Sequence, residues 1–220
     1  MKTRHDRRAR GFTLVELLVV AAIIAVLASL TLGQISAAME RARIVQCAGN
    51  LKALGHALII YASEHQTYLP AYVANNVVWD TAILPYLRDN KLTFRCPRDP
   101  HITPEVLAAG PRTYAANGGQ KYVSDLRFPF GAFDGQPPLP LDEVQSRSGR
   151  TILLGERPGD SPANRGLVGE FAFCTLDQLP GAVHRDKSGG NYLFADGSVQ
   201  YLDANLAALS ENSDYWYCAP

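Results

Sequence analysis

Glu16 is the side chain in this sequence with the most to explain. It stands fifth in an apolar run, residues 12–32, and is the one charge among those 21 residues. A lone carboxylate in such a setting is costly unless it meets a cation, so its chemistry is ion pairing. Four cysteines, Cys47, Cys96, Cys174 and Cys218, all follow the run. In an oxidising compartment they allow disulfides, and spacing does not choose among the three pairings. There is no CxxC, no His-x-x-x-His and no close Cys/His cluster, so zinc is not expected. Asp203, Asn205, Glu211 and Asp214 offer oxygens to calcium, but not at EF-hand spacing, and read as solvated loop residues. Two pairs could be taken for acid–base partners, His184 with Asp196 and Glu156 with Asp160. The turn it opens with Gly197 explains Asp196 better, and ordinary loop charge explains Glu156 and Asp160. No Gly-x-Ser-x-Gly elbow, phosphate loop or dinucleotide fingerprint accompanies them, so neither catalysis nor a cofactor is expected.

The elements that position these residues change character at Pro70. Residues 12–32 as a helix reach roughly 31 Å, enough to cross the hydrocarbon core of a bilayer. The helix-compatible pattern continues without proline to about His65, and Ile44, Ala48, Leu51, Leu54, Leu58 and Tyr61 recur at spacings of three or four, marking one packing face. His56 and His65 read as surface or packing residues. All 14 prolines lie from Pro70 onward. There the sequence gives a weak strand at 71–79, a short helix at 81–87, a Pro-rich surface loop at 128–141, a buried strand at 151–155 and another at 169–174. Residues 191–202 read as a hairpin whose Asp196-Gly197 forms a type I′ turn, with Gly189-Gly190 as a mobile entry. The expected organisation is a leader at 1–11, a transmembrane helix at 12–33, its exported continuation at 34–66, and one β-rich globular domain at 67–220.

The junction Gly11-Phe12-Thr13-Leu14-Val15-Glu16 resembles the signal of type IV prepilins and type II secretion pseudopilins. In that family a short basic leader ends in glycine, a prepilin peptidase cuts after it, and the new N-terminal phenylalanine is N-methylated. The resemblance implies cleavage between Gly11 and Phe12, N-methylation of Phe12, and an assembly role for Glu16. The freed amine of Phe12 lies about a helical turn from Glu16 of its own chain. Between staggered helices it can meet Glu16 of the next subunit, which would set an axial register. An ordinary secretory signal does not fit, since the run exceeds an h-region of about 7–15 residues. A plain anchor has no need of Glu16.

The C-terminal part is similar to pilin-like proteins carrying a prepilin-associated motif of histidine, nine residues and Asp-Gly, the DUF1559-like group. Here eleven residues separate His184 from Asp196-Gly197. Asn50-Leu51-Lys52-Ala53-Leu54-Gly55, Leu84-Pro85-Tyr86-Leu87, Phe94-Arg95-Cys96-Pro97, Tyr114-Ala115-Ala116-Asn117-Gly118 and Arg150 to Glu156 match further blocks. The resemblance implies an α+β, pilin-like fold: a long N-terminal transmembrane helix continuing into a globular domain with an antiparallel sheet.

Charge orients the chain. Residues 1–10 hold five basic side chains against Asp6, and the chain has 21 of each sign, so the leader is +4 and the remainder −4. Basic segments stay inside, which implies an inner-membrane, single-pass protein with its C-terminal domain in the periplasm or outside the cell. The acidic remainder argues against nucleic acid. The expected partners are prepilin peptidase, the membrane, and other pilin-like subunits through the N-terminal helix. The function that follows is a pseudopilin or minor pilin. The alternative is an anchored exported binding or hydrolytic module that uses the signal for placement only.

Overall fold

The structure, a computed structural model, describes residues 12–71, 73–74, 77–99, 103–104, 113–118, 129–131, 137–147, 151–156 and 189–203; the side chains of 30–34, 37, 73, 74, 77, 147 and 203 are outside the description. The chain divides into two compact units, Met1–Ala42 and Arg43–Pro220. Helix α1 (Leu14–Glu64) runs for 51 residues. In the first unit every described side chain from Phe12 to Ser29 is exposed, so no face of this stretch of α1 is distinguished by packing. Among the described residues no helix is long and apolar enough to cross a membrane.

In the second unit α1 does have a face. Cys47, Leu51, Leu54, Ala57, Leu58 and Ala62 are buried, at the three-and-four spacing read from the sequence. They join one hydrophobic cluster with Leu154 and Leu193 of the sheet. Ile44, Ala48 and Tyr61 of the expected stripe are only half-buried, at its margin.

A four-stranded antiparallel sheet runs in chain order, β3 (Tyr114–Ala116), β4 (Ile152–Glu156), β5 (Gly189–Phe194) and β6 (Val199–Asp203). Tyr114 pairs with Glu156, Gly155 with Tyr192, and Asn191 with Tyr201, and the register of β4 against β5 shifts between Ile152 and Leu154. The buried strand expected at 151–155 is β4, whose five residues are all buried. The strand expected at 169–174 lies outside the described residues.

Several expectations change. The weak strand at 71–79 is a small hairpin, β1 (Val73–Ala74) against β2 (Val77–Val78), with Val73 opposite Val78. The short helix starts earlier, as α2 (Trp79–Ile83), and tightens into a 3₁₀ turn over Leu84–Leu87, where Pro85 occupies an early position whose N–H is not needed. The Pro-rich stretch is not simply surface. Phe130 and Leu139 are buried, Trp79 packs edge-on against Phe130 at 5.8 Å and Phe94 at 6.0 Å, and Leu69 N–H donates to Leu139 O at 3.1 Å. The stretch leads into α3 (Leu141–Arg147).

The β5–β6 hairpin is real, but its turn is not type I′. Gly197 N–H donates to Phe194 O at 2.9 Å, Phe194 N–H to Ser198 O at 2.9 Å, and of Asp196 and Gly197 only Gly197 has positive φ, at 81°. That is a three-residue connection, Ala195-Asp196-Gly197, with the glycine taking the left-handed position of a bulge. Gly189 and Gly190 are paired and buried within β5 rather than a mobile entry.

Candidate functional site

The first turn of α1 is closed by its own side chains. Thr13 is the residue before the helix and Glu16 the third within it. Glu16 Oε2 accepts from Thr13 N–H at 2.9 Å and from Thr13 Oγ1 at 2.8 Å, and Glu16 N–H donates to Thr13 Oγ1 at 3.3 Å. This is a reciprocal capping box: each residue satisfies a backbone donor of the other that the helix leaves open. The carboxylate is thereby folded back toward Thr13 and lies at the positive end of the helix dipole. Sequence reasoning treated Glu16 as a charge in need of a cation and missed this cap. The Thr-x-x-Glu spacing ahead of an apolar run was the signal that shows it. Phe12 is exposed, and Gly11 lies outside the described residues.

A second constellation lies inside the other unit. Cys47 of α1 is joined to Cys96 by a disulfide, which resolves one of the open pairings; Cys174 and Cys218 lie outside the described residues. Around it Tyr114 Oη donates to Cys47 O at 3.2 Å, Asn50 Nδ2 to Arg95 O at 2.7 Å, and Cys96 N–H to Thr113 Oγ1 at 3.1 Å. Glu156, read from sequence as loop charge, is the fully buried last residue of β4. Its two carboxylate oxygens accept from the N–H and the side-chain amide of Asn191, at 3.0 and 3.1 Å. Gly190 leaves the space this needs, since a Cβ there would come within 3.1 Å of Glu156 Oε2. Burial first, and the Glu156 charge second, push the phenols of Tyr114 and Tyr192 up from their ordinary range, so both stay protonated. Cys47 Sγ, Cys96 Sγ and a Glu156 oxygen lie within 4.8 Å of one another. With both sulfurs in the disulfide no thiolate is left to ligate a metal, and this is a buried structural seam.

The remaining sequence candidates separate. Asp196 is exposed, and its Oδ1 accepts from Ser198 N–H at 2.7 Å, which holds the hairpin turn. His184 and Asp160 lie outside the described residues, as do Asn205, Glu211 and Asp214, while Asp203 ends β6. His65 stacks on Tyr61 at 3.8 Å and its Nδ1 lies 2.8 Å from Tyr61 O, a packing role at the end of α1. The blocks singled out in the sequence meet here: Asn50 on Arg95, Tyr114 on Cys47, Asn117 on Ile152 through a 2.8 Å bond, with Glu156 beside them.

Compared with known proteins, residues 6–32 match the prokaryotic N-terminal methylation motif. Residues 36–165 match the family described as protein of unknown function, DUF1559. A stretch of 62 residues is 34% identical to the type II secretion system core protein G of Pseudomonas aeruginosa, covering 28% of this chain and 44% of that protein. The chain thus spans less than half the length of that relative. No solved structure matches.

Proposed function

The chain belongs to the DUF1559 family and carries a prokaryotic N-terminal methylation motif; from that premise we propose that it is a pilin-like structural subunit, a pseudopilin or minor pilin of a type II secretion or type IV pilus-like assembly. Prepilin peptidase cuts between Gly11 and Phe12, and Phe12 is N-methylated. The helix from Phe12 anchors the subunit in the inner membrane with the basic leader inside and residues 34–220 outside. It later packs among the helices of other pilin-like subunits. Similarity to a type II secretion core protein over 62 residues supports this reading.

The observation that carries it is the pairing of two features in one stretch. Apolar side chains from Phe12 to Leu27 are exposed on every side of the helix, among them Leu14 at 80% and Leu17 at 66%. A helix apolar all round needs cover, from lipid before assembly and from neighbouring helices after it. At its start the cap holds Glu16 beside the place where cleavage would create an amine. In the filament that carboxylate receives the amine of an adjacent subunit.

Glu16→Gln tests this, because glutamine keeps the capping acceptor and removes the charge. We expect the variant to be processed and to reach the membrane, but to be lost from complexes purified with its partner subunits. Normal incorporation of Glu16→Gln would show that the residue acts as a cap alone. Mass spectrometry of the membrane-extracted chain should find an N-terminus at methylated Phe12; a retained leader would sink the reading.

A further inference from the structure

A polar cleft of about 320 Å³ opens between α1 and the 3₁₀ turn Lys91–Phe94. Gln46 and Asn50 line it from α1, and Asn90, Thr93 and Arg95 from the turn. Its volume sits at the low end for small-molecule sites, which run from about 300 to 1,000 Å³. Arg95 is half-buried, and its Nε is a buried donor with no partner among the described residues. The backbone of that residue is fixed: Arg95 N–H donates to Leu92 O at 3.1 Å and its carbonyl accepts from Asn50. Asn90 uses Oδ1 to accept from Leu92 N–H at 3.1 Å, which leaves its amide nitrogen as a donor. Among the described residues no carboxylate lines the cleft.

We infer that this cleft binds a single carboxylate, with Arg95 as the charge partner and the Gln46 and Asn90 amides and the Thr93 hydroxyl as flanking donors. A guanidinium presents a planar fork of donors that matches a carboxylate in shape and charge. One cation and no anion in the lining fit one negative charge; a phosphate group, nearly doubly charged at neutral pH, exceeds it. The walls are set in advance. Gln46 precedes Cys47 and Arg95 precedes Cys96, so the disulfide ties the two sides of the cleft together at the residues that would hold the ligand. The carboxylate belongs either to a small organic acid or to the C-terminus of a peptide. The cleft gives the exported unit a recognition function of its own, whatever its N-terminal helix assembles with.

Calorimetric titration of the full chain in detergent, disulfide intact, tests it with acetyl-Gly-Gly as the free acid, the same peptide amidated, acetate and inorganic phosphate. We expect saturable binding of the free acid, weakened about tenfold or more by amidation or by Arg95→Gln. Gln46→Glu places a repelling charge at an exposed site on α1, leaves the core untouched, and should weaken binding as much; it decides the matter if Arg95→Gln folds poorly. Acetate binding as tightly as the peptide assigns the site to small acids, and tighter peptide binding assigns it to chain ends; both support the proposal. Equal affinity for acid and amide, unchanged affinity in Gln46→Glu, a preference for phosphate, or no saturable binding overturns it.

Discussion

At the scale of single residues, the cap that Glu16 makes and the charge it carries are separated by different substitutions. Thr13 and Glu16 close the first turn through three hydrogen bonds, and none of them requires a full charge on the glutamate. Thr13→Ala removes the hydroxyl that serves Glu16 N–H and keeps the carboxylate. We expect first-turn amide exchange to speed up roughly fivefold in the membrane-extracted protein, the usual consequence of losing an N-cap. Glu16→Gln should leave that exchange near the wild-type rate. If Thr13→Ala changes nothing while Glu16→Gln loosens the turn, charge rather than capping holds it. The charge of Glu16 was legible in the sequence because one acid in an apolar run stands out. Its cap was legible too, through residue spacing rather than residue type. Glu156 was not. Nothing in Gly155-Glu156-Arg157 announces that the acid closes a buried strand, because its partners, the backbone N–H and amide of Asn191, arrive from β5, 35 positions away.

At the scale of elements, the disulfide and the hairpin turn carry separable loads. Cys47 and Cys96 are 49 positions apart, so their bond closes a long loop in the unfolded chain. Chain-entropy arguments put such a closure at about 4 kcal/mol, with measured values more often about 2–4. We expect Cys47→Ala with Cys96→Ala to lower the unfolding free energy by about 2–4 kcal/mol in denaturant titration, with an unchanged far-ultraviolet helix signal. Loss of less than about 1 kcal/mol would mean that buried neighbours such as Leu51 and Tyr114 already fix α1 against the 95–99 segment. In the hairpin, Gly197 alone takes positive φ, and an alanine there costs about 1–2 kcal/mol. Asp196→Gly keeps the backbone path and should cost less, because it loses one bond to Ser198 N–H at an exposed turn. Comparing the two variants by thermal melting tests the bulged turn against a type I′ turn, in which position 196 would also need positive φ and glycine there would stabilise. The Asp-Gly pair marked the hairpin, but turn type depends on which residues pair across it. Phe194 pairing with Ser198 is information the local dipeptide does not contain. The Pro-rich stretch misled for a similar reason. Proline counts report what the backbone cannot do, whereas the burial of Phe130 depends on Trp79, an element far earlier in the chain.

At the scale of the whole molecule, two kinds of apolar surface are divided along the chain. From Phe12 to Leu27 the large apolar side chains are exposed, whereas every residue of the hydrophobic cluster lies at Cys47 or later. The composition change at Pro70 was visible in sequence, yet the core begins within α1, because a helix can change environment along its length without a break in periodicity. Stability in solution therefore belongs to the second unit, and its pH dependence follows from the phenols buried there. Tyr114 and Tyr192 are both held protonated in the fold, by burial first and by the Glu156 charge next. In the unfolded chain they ionise near their ordinary value of about 10. Below that pH both states carry the protons and the full stability is present. Above it the unfolded state releases protons that the folded state keeps, so stability falls as pH rises. We expect the denaturant midpoint to be flat from neutral pH to about 9 and to decline beyond about 10, with tyrosinate absorbance from these two residues appearing only with unfolding. Tyr192→Phe should flatten the decline, since it removes one of the delayed ionisations while keeping the ring in the core. A midpoint that declines equally in wild type and Tyr192→Phe would place the alkaline sensitivity elsewhere. Tyrosinate formation before unfolding that Tyr192→Phe diminishes would mean that water reaches the seam around Glu156 in the folded state.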